Sequence, residues 1–442
     1  MKLKLKDLVK IKGGKRLPKG SNLQTIPNKH PYIKVKDMKN KFISLDGLEY
    51  VPDEIFTKIK NYIVNENDII ISIVGTIGLV SIIDSKLNNA SQTENCAKLS
   101  GLDYIDSEYL YYFLISEYGQ SEINKATVGA VQPKLPLYGI ENIEIDWKTR
   151  EDREKIIYIL RNIDNKIELN TQTNQTLEQI AQGIFKHWFI DFAPVHAKAN
   201  ALARGETIEQ AELAAMACLS GKTVEKITAL KTEDPTAYHQ LQQTAAAFPS
   251  EFVETEMGKV PRGWEVKKVK DIAKFIKGKK PKNLSENQQE GLLPYITMAT
   301  LSGKNISFAS PEGMIIADKL DILISMDGSA GNITIGYKGI VGSTFAKINL
   351  TGRKYISFFY QFMKNKEEDI KANTTGTSVP HTDKERVLNY SITIPNDDLI
   401  NYFSKVHLDL LEKILLNKNE NNTLENLRDT LLPKLLNGEI EL

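Results

Sequence analysis

Apolar and polar positions over residues 149–191 alternate in steps of four and three: Ile156, Leu160, Ile163, Ile167, Asn170, Asn174, Leu177 and Ile184. That is the period of a helix with one buried seam, about four heptads long. The chain states this pattern twice. The run Asn-Gln-Thr-Leu-Glu-Gln-Ile at residues 174–180 returns 247 residues later as Asn-Asn-Thr-Leu-Glu-Asn-Leu at 421–427. The second seam reads Phe403, His407, Leu410, Ile414, Asn417, Asn421, Leu424 and Leu431. Thr149 and Asn396 stand at matching places before acidic first turns, as N-cap residues should. Two such helices in one chain can bury their seams against each other. Each seam carries two Asn at core-type positions. Either they meet and fix the register, or they mark a helix break and face water.

Outside the helices the pattern changes to short β-rich runs, and these also occur twice. Asp68-Ile69-Ile70-Ile71-Ser72 leads into Gly75-Thr76-Ile77-Gly78, which reads as a strand and a tight turn. It returns as Asp321-Ile322-Leu323-Ile324-Ser325 with Gly328-Ser329-Ala330-Gly331. Pro31-Tyr32-Ile33 returns as Pro294-Tyr295-Ile296, and Ala97-Lys98-Leu99 as Ala346-Lys347-Ile348. In the first unit, Ser107 is placed to cap a helix through Tyr109, Leu110 and Phe113, and a short strand is expected near residues 140–145. Pro194 is expected to close the first long helix, after the cluster Phe185, Trp188, Phe189 and Phe192. Residues 195 to about 250 are Ala- and Gln-rich at helical spacing and have no second copy. The expected order is a unit at 1–148, a helical region at 149–194, a helical connector at 195–257, a second unit at 258–395 and a second helical region at 396–442.

Composition narrows the class. At 442 residues, 41% hydrophobic and 26% charged, the chain is an ordinary globular protein long enough for several domains. Its two cysteines, Cys96 and Cys218, give no disulfide framework. No uncharged apolar run approaches the ~18 residues of a membrane span, and the first residues lack a signal-peptide core; a cytoplasmic protein with no membrane partner is expected. Ser220-Gly221-Lys222-Thr223 ends like a phosphate-binding loop, but Met216 stands where the first glycine belongs. No dinucleotide-binding glycine pattern, base-methylation motif or histidine metal spacing is present, so no catalytic residue and no metal site is assigned.

Net charge is only +1, but it is unevenly spread. Residues 1–60 hold fourteen Lys and one Arg against six acids, and residues 267–282 hold eight Lys against one Asp. Lys10, Lys12, Lys15, Arg16 and Lys19 crowd a segment broken by Gly13, Gly14 and Pro18, read as a loop; Lys277, Lys279, Lys280 and Lys282 flank Gly278. Such clusters neutralise a phosphate backbone. The turns at Gly75 and Thr76, and at Gly328 and Ser329, expose N–H groups that suit close approach to phosphates. Loops at Gln132 and Lys134, and at Thr377, Ser378 and His381, offer donors and acceptors for base edges. Each signal alone is common on solvated surfaces; their recurrence in both units favours DNA contact.

The segments 174–180 and 421–427, residues 183–192, residues 258–264 and the terminal Leu-Pro-Lys-Leu-Leu-Asn-Gly-Glu-Ile together resemble the specificity subunit of Type I restriction-modification systems over essentially the whole chain. The resemblance implies an α+β fold with two mixed target-recognition domains held apart by an antiparallel coiled-coil pair, as a pseudo-twofold repeat. It implies that each domain reads one half of a split site on double-stranded DNA. Two modification subunits, which carry S-adenosylmethionine and methylate adenine, dock on the helices around Ile163, Ile167, Asn170, Asn174, Leu177, Leu410, Ile414, Asn417, Asn421 and Leu424. Separate restriction subunits bring ATP and magnesium; this chain itself needs no cofactor. The second loop departs from the first, with Val379 and His381 where the first has Gln132 and Lys134. Two other readings stay open: the recognition subunit of a bipartite system whose partner fuses methylase and nuclease, and a coiled-coil scaffold without nucleic acid.

Overall fold

The computed structural model describes residues 1–256, 258–301, 303, 306–376 and 378–440. It divides into two compact units. One comprises Met1–Leu169 with Glu420–Leu442, the other Asn170–Asn419. Each unit therefore contains part of both long helices, Arg150–Phe189 and Asp397–Asn437.

In the first unit a four-stranded antiparallel sheet runs in the order Lys10–Gly13, Cys96–Ser100, Ile69–Ser72, Val80–Ile82. The Ile69-Ile70-Ile71 run is apolar throughout because both faces of its strand are covered. Ile69 and Ile71 join the larger core, with Leu110 of helix Tyr104–Ile115, Ile156 and Leu160 of the first long helix, and Leu432, Leu435 and Leu436 of the second. Ile70 points the other way, into a core with Ile33, Val64, Ala90 and Cys96. That core lies on a second sheet, ordered Glu49–Tyr50, Pro31–Ile33, Ala90–Gln92, Ile63–Val64, in which the central pair is parallel.

The second unit has the same strand orders. Ala273–Lys277, Phe345–Leu350, Ile322–Ser325 and Ile333–Thr334 form one sheet. Phe308–Ala309, Leu293–Ile296, Gly339–Val341 and Ile316–Ala317 form the other. Ile322 and Ile324 again face one core and Leu323 the other. Even the polar details repeat. Lys98 Nζ reaches Asp68 at 3.6 Å and donates to the Ile63 carbonyl at 2.7 Å. Lys347 Nζ reaches Asp321 at 2.6 Å and donates to the Ile316 carbonyl at 3.0 Å. Burial raises the Asp68 carboxyl above its ordinary range.

Both long helices begin where their caps place them. Asp152 N donates to Thr149 Oγ1 at 3.2 Å, and Leu399 N to Asn396 Oδ1 at 3.0 Å. In the second unit Phe185, Trp188 and Phe189 pack with Phe403 and Phe358 in an aromatic core. There Asn417 Nδ2 donates to Asn174 Oδ1 at 2.9 Å, both residues buried, so this pair meets in the interior and does not face water.

Several local expectations change. Lys10 and Lys12 lie on a strand, since Ile11 between them turns inward and pairs with Leu99; only Lys15, Arg16 and Lys19 follow in a loop. Asp103, which accepts from Asp106 N, caps the helix assigned to Ser107; Ser107 is buried inside it and donates to the Asn67 carbonyl. The strand near 140–145 is helix Leu137–Glu141 followed by strand Glu144–Asp146, which pairs with Lys2–Lys4. Pro194 opens a helix and does not end one. Phe192, at φ +47°, breaks the chain direction, and Pro194 sits in the first turn of Ala193–Ala203, where a missing N–H costs nothing.

The connector folds as four helices, Ala193–Ala203, Ile208–Ser220, Val224–Glu233 and Pro235–Ala247; the last three share a core of Ala215, Met216, Ile227 and Ala245, while Val195 of the first joins the aromatic core. It gives way to a hairpin, Phe252–Thr255 with Gly258–Pro261. Gly221 ends one helix in a left-handed conformation and Thr223 caps the next, so Ser220–Thr223 is a helix junction. Among the described residues no helix is long and apolar enough to cross a membrane.

Candidate nucleic-acid interface

Strand direction assembles the interface. In the first unit Lys10–Gly13 and Ile69–Ser72 both pair antiparallel with Cys96–Ser100, so their C-terminal ends emerge at the same edge. One end continues into the Lys15–Lys19 loop, the other into the glycine turn. Gly14 N donates to the Cys96 carbonyl and Ile73 N to the Asn95 carbonyl, which pins both exits there. A Cβ on Gly14 would lie 2.1 Å from the Thr93 carbonyl oxygen, so only glycine allows this approach. Gly278 is held the same way in the second unit, where a Cβ would lie 2.2 Å from two carbonyl oxygens.

The turns follow the same plan. Gly75 and Gly78 have φ of +84° and +83°, and Gly328 and Gly331 of +77° and +85°. Ser72 Oγ donates to the Thr76 carbonyl at 2.6 Å and accepts from Leu79 N at 2.9 Å, cinching the first turn. Gly75, Thr76, Gly328 and Ser329 are exposed, but Gly328 N donates to the Pro380 carbonyl at 3.0 Å, so this amide is not free for a phosphate as the sequence suggested.

The polar loops close on themselves beside these turns. Val128 and Lys134 exchange two backbone hydrogen bonds of 2.9 Å, leaving Gln132 exposed on the lasso and Val131 at its tip 93% exposed. Thr375 and His381 exchange bonds of 2.8 and 2.7 Å around Ser378 and Val379. Thr377 lies outside the described residues. Val74 bridges to Lys134 in the first unit and Asp327 to His381 in the second. Turn and loop, far apart in sequence, are thus neighbours in each unit.

Asp327, which sequence reasoning misses, organises the second unit's edge. His381 Nδ1 lies 2.8 Å from its Oδ1, and Lys277 Nζ donates to its Oδ2 at 3.1 Å. Burial alone would raise the carboxyl; the bonds from His381 and Lys277 more than offset it and hold it below the ordinary carboxylate range. In the first unit Val74 occupies the equivalent position, so comparing the two copies would have found Asp327. Glu94 is missed as well: it takes Arg16 Nε at 2.5 Å. Lys15 Nζ sits 5.4 Å from the Tyr62 ring centroid. Lys12, Lys19, Lys279, Lys280 and Lys282 are exposed. Among the described residues no cluster of His, Cys, Asp or Glu could hold a metal ion.

The helix candidates are elsewhere. Ile163, Asn170, Asn174, Ile414 and Asn417 are buried, whereas Ile167, Leu177, Leu410, Asn421 and Leu424 are half-buried. The seam turns Leu411, not Leu410, fully inward.

Residues 1–179 and 261–426 match the family described as Type I restriction modification DNA specificity domain. The chain belongs to that family. Its function is therefore that of a DNA sequence-specificity subunit of a Type I restriction-modification system, and it binds DNA and assembles with other subunits of such a system. It is 35% identical, over 75% of this chain and 77% of the relative, to the Type I restriction enzyme HindI specificity subunit of Haemophilus influenzae. With the MjaIX specificity subunit of Methanocaldococcus jannaschii it shares 23% identity over 99% of this chain and 92% of that one. The fold is similar to the crystal structure of a Type I S subunit from M. genitalium, with a TM-score of 0.50, 20% identity, and coverage of 98% and 95% of the two chains.

Proposed function

We propose that each unit reads one half of a split target on double-stranded DNA, using the sheet edge where lysines, glycine turn and polar lasso meet. The recurrence of that edge with different side chains supports this reading: Gln132 and Lys134 in one unit, Ser378 and His381 with Asp327 in the other. The lysines, with the amides of Gly75, Thr76 and Ser329, hold phosphates, which positions the protein without selecting sequence. The lasso side chains read bases. The long helices act as the ruler between the halves and as the platform for two modification subunits. Methylation and cleavage belong to partner subunits, which carry S-adenosylmethionine, ATP and magnesium.

Sequencing methylated DNA from a host carrying this chain and its modification partner tests the proposal. The expected product is a site with two defined halves and an undefined spacer. Inserting four residues between Asn170 and Asn174 lengthens the first long helix by about 6 Å. It should widen the spacer by about one or two base pairs and leave both halves unchanged. An insertion that alters the halves but not the spacer sinks the ruler.

A further inference from the structure

The two halves of this chain repeat so closely that each helix contains the seam needed to pair with a second copy of itself. Asn170 and Asn174 are matched by Asn417 and Asn421 at the same offset, so the Asn positions alone permit either pairing. One pair of side chains does not. In the first unit Arg428 of the second long helix donates to Asp164 Oδ1 of the first at 3.0 Å, and the two side chains are only 25% and 20% exposed. Tyr112 donates to the other oxygen, Asp164 Oδ2, at 2.5 Å, and Lys41, 3.8 Å from Asp164, is bonded to the buried Glu108.

At the repeat-equivalent positions the second unit has no charge. Asp164 corresponds to Leu411 and Arg428 to Ala181, 4% and 2% exposed, and these two line one small cavity. Glu108 and Tyr112 correspond to Phe358 and Phe362, counting from the buried Ser107 and Ser357. The same pair of positions is thus ionic in one unit and apolar in the other.

We propose that Asp164 and Arg428 make the helix pairing heterotypic: the first long helix is fitted to the second and rejects a second copy of itself. Pairing first with first sets Ala181 opposite Asp164. Pairing second with second sets Leu411 opposite Arg428. Each separates Asp164 from Arg428 in a half-buried seam, leaving Asp164 with Tyr112 and Lys41 and Arg428 with its sequence neighbour Asp429, and so costs more than either cognate arrangement. The pair thereby ensures that one assembly carries one of each recognition unit and so a target with two different halves.

The test uses the full-length chain. Asp164→Leu and Arg428→Ala, each alone, should lower the melting temperature by ~5 °C or more. Made in a Tyr112→Phe background, which removes the hydroxyl that donates to Asp164, the double variant copies the second unit at these positions, while Lys41 keeps Glu108, and should melt near the wild type. Refolded from denaturant at high protein concentration, the double variant should give a several-fold larger fraction of higher-mass, chain-exchanged species by light scattering than the wild type. Destabilisations that simply add in the double variant, or a double variant that refolds to the wild-type mass distribution, overturn the proposal.

Discussion

Asn417 donates to Asn174 in the interior of the second unit, Nδ2 to Oδ1 at 2.9 Å, and Asn174 Nδ2 in turn reaches the Ile414 carbonyl at 3.3 Å. The first unit repeats the second of these bonds with the roles exchanged, Asn421 Nδ2 reaching the Ile167 carbonyl at 3.2 Å. Polar side chains in an apolar seam cost stability but accept only one register. Asn417→Leu strands the buried Asn174 oxygen and should cost about 1–3 kcal/mol in urea denaturation. Asn174→Leu combined with Asn417→Leu should recover most of that stability. A single variant as stable as the double would show that the bond contributes nothing.

His407 makes stability depend on acid. Its ring is 2% exposed, stacked 5.8 Å from Phe403 and near Tyr360; Glu178 and Gln361 line the same small cavity. Burial lowers its pKa from 6.5 to about 4. Above pH 6.5 the ring is neutral in both states and costs nothing by this route. As the pH falls from 6.5 towards 4 the unfolded chain takes up a proton that the folded chain refuses, so stability falls. The decrease is on the order of 3 kcal/mol and stops growing once the folded ring also charges. Leu160 fills the matching place in the other helix, so His407→Leu should remove this part of the pH profile. An identical slope in the variant would assign the acid sensitivity to other groups.

Gln132 and Asp327 separate reading from positioning. Gln132→Ala should relax one position of one half-site, by ~1–3 kcal/mol of discrimination, and leave the other half intact. Asp327→Ala releases both Lys277 and His381 and should blur the opposite half-site. Methylation mapping on the two variants reads this directly. Changes in the same half for both would place the two edges on one half-site.

The lysines of the second unit should act without regard to sequence. Neutralising Lys277, Lys279, Lys280 and Lys282 together should weaken binding to every DNA tested. It should also flatten the salt dependence by about 0.9 for each phosphate that is no longer neutralised. The slope of log affinity against log salt is the readout. An unchanged slope returns these lysines to an ordinary solvated surface.

What this sequence determined by itself is whatever depends on local period and on repetition. The steps of three and four at Ile156, Leu160 and Ile163, with Thr149 and Asn396 as caps, specify the long helices because a helix brings residues of that spacing to one face. The Ile69–Ile71 run and the glycines after it specify a buried strand and a left-handed turn for equally local reasons. The doubled pattern specified two similar units. The tertiary structure alone decided what lies far apart in sequence but close in space: Asp327 between Lys277 and His381, Gly14 against the Thr93 carbonyl, Arg428 on Asp164. It also overruled local composition at Lys10 and Lys12, where pairing with Cys96–Ser100 satisfies backbone groups that a lysine- and glycine-rich segment would otherwise leave to water. Side chains such as Asp327 and Arg428 carry no periodic signal, because an ion pair needs only proximity, and proximity is set when the sheets and helices close.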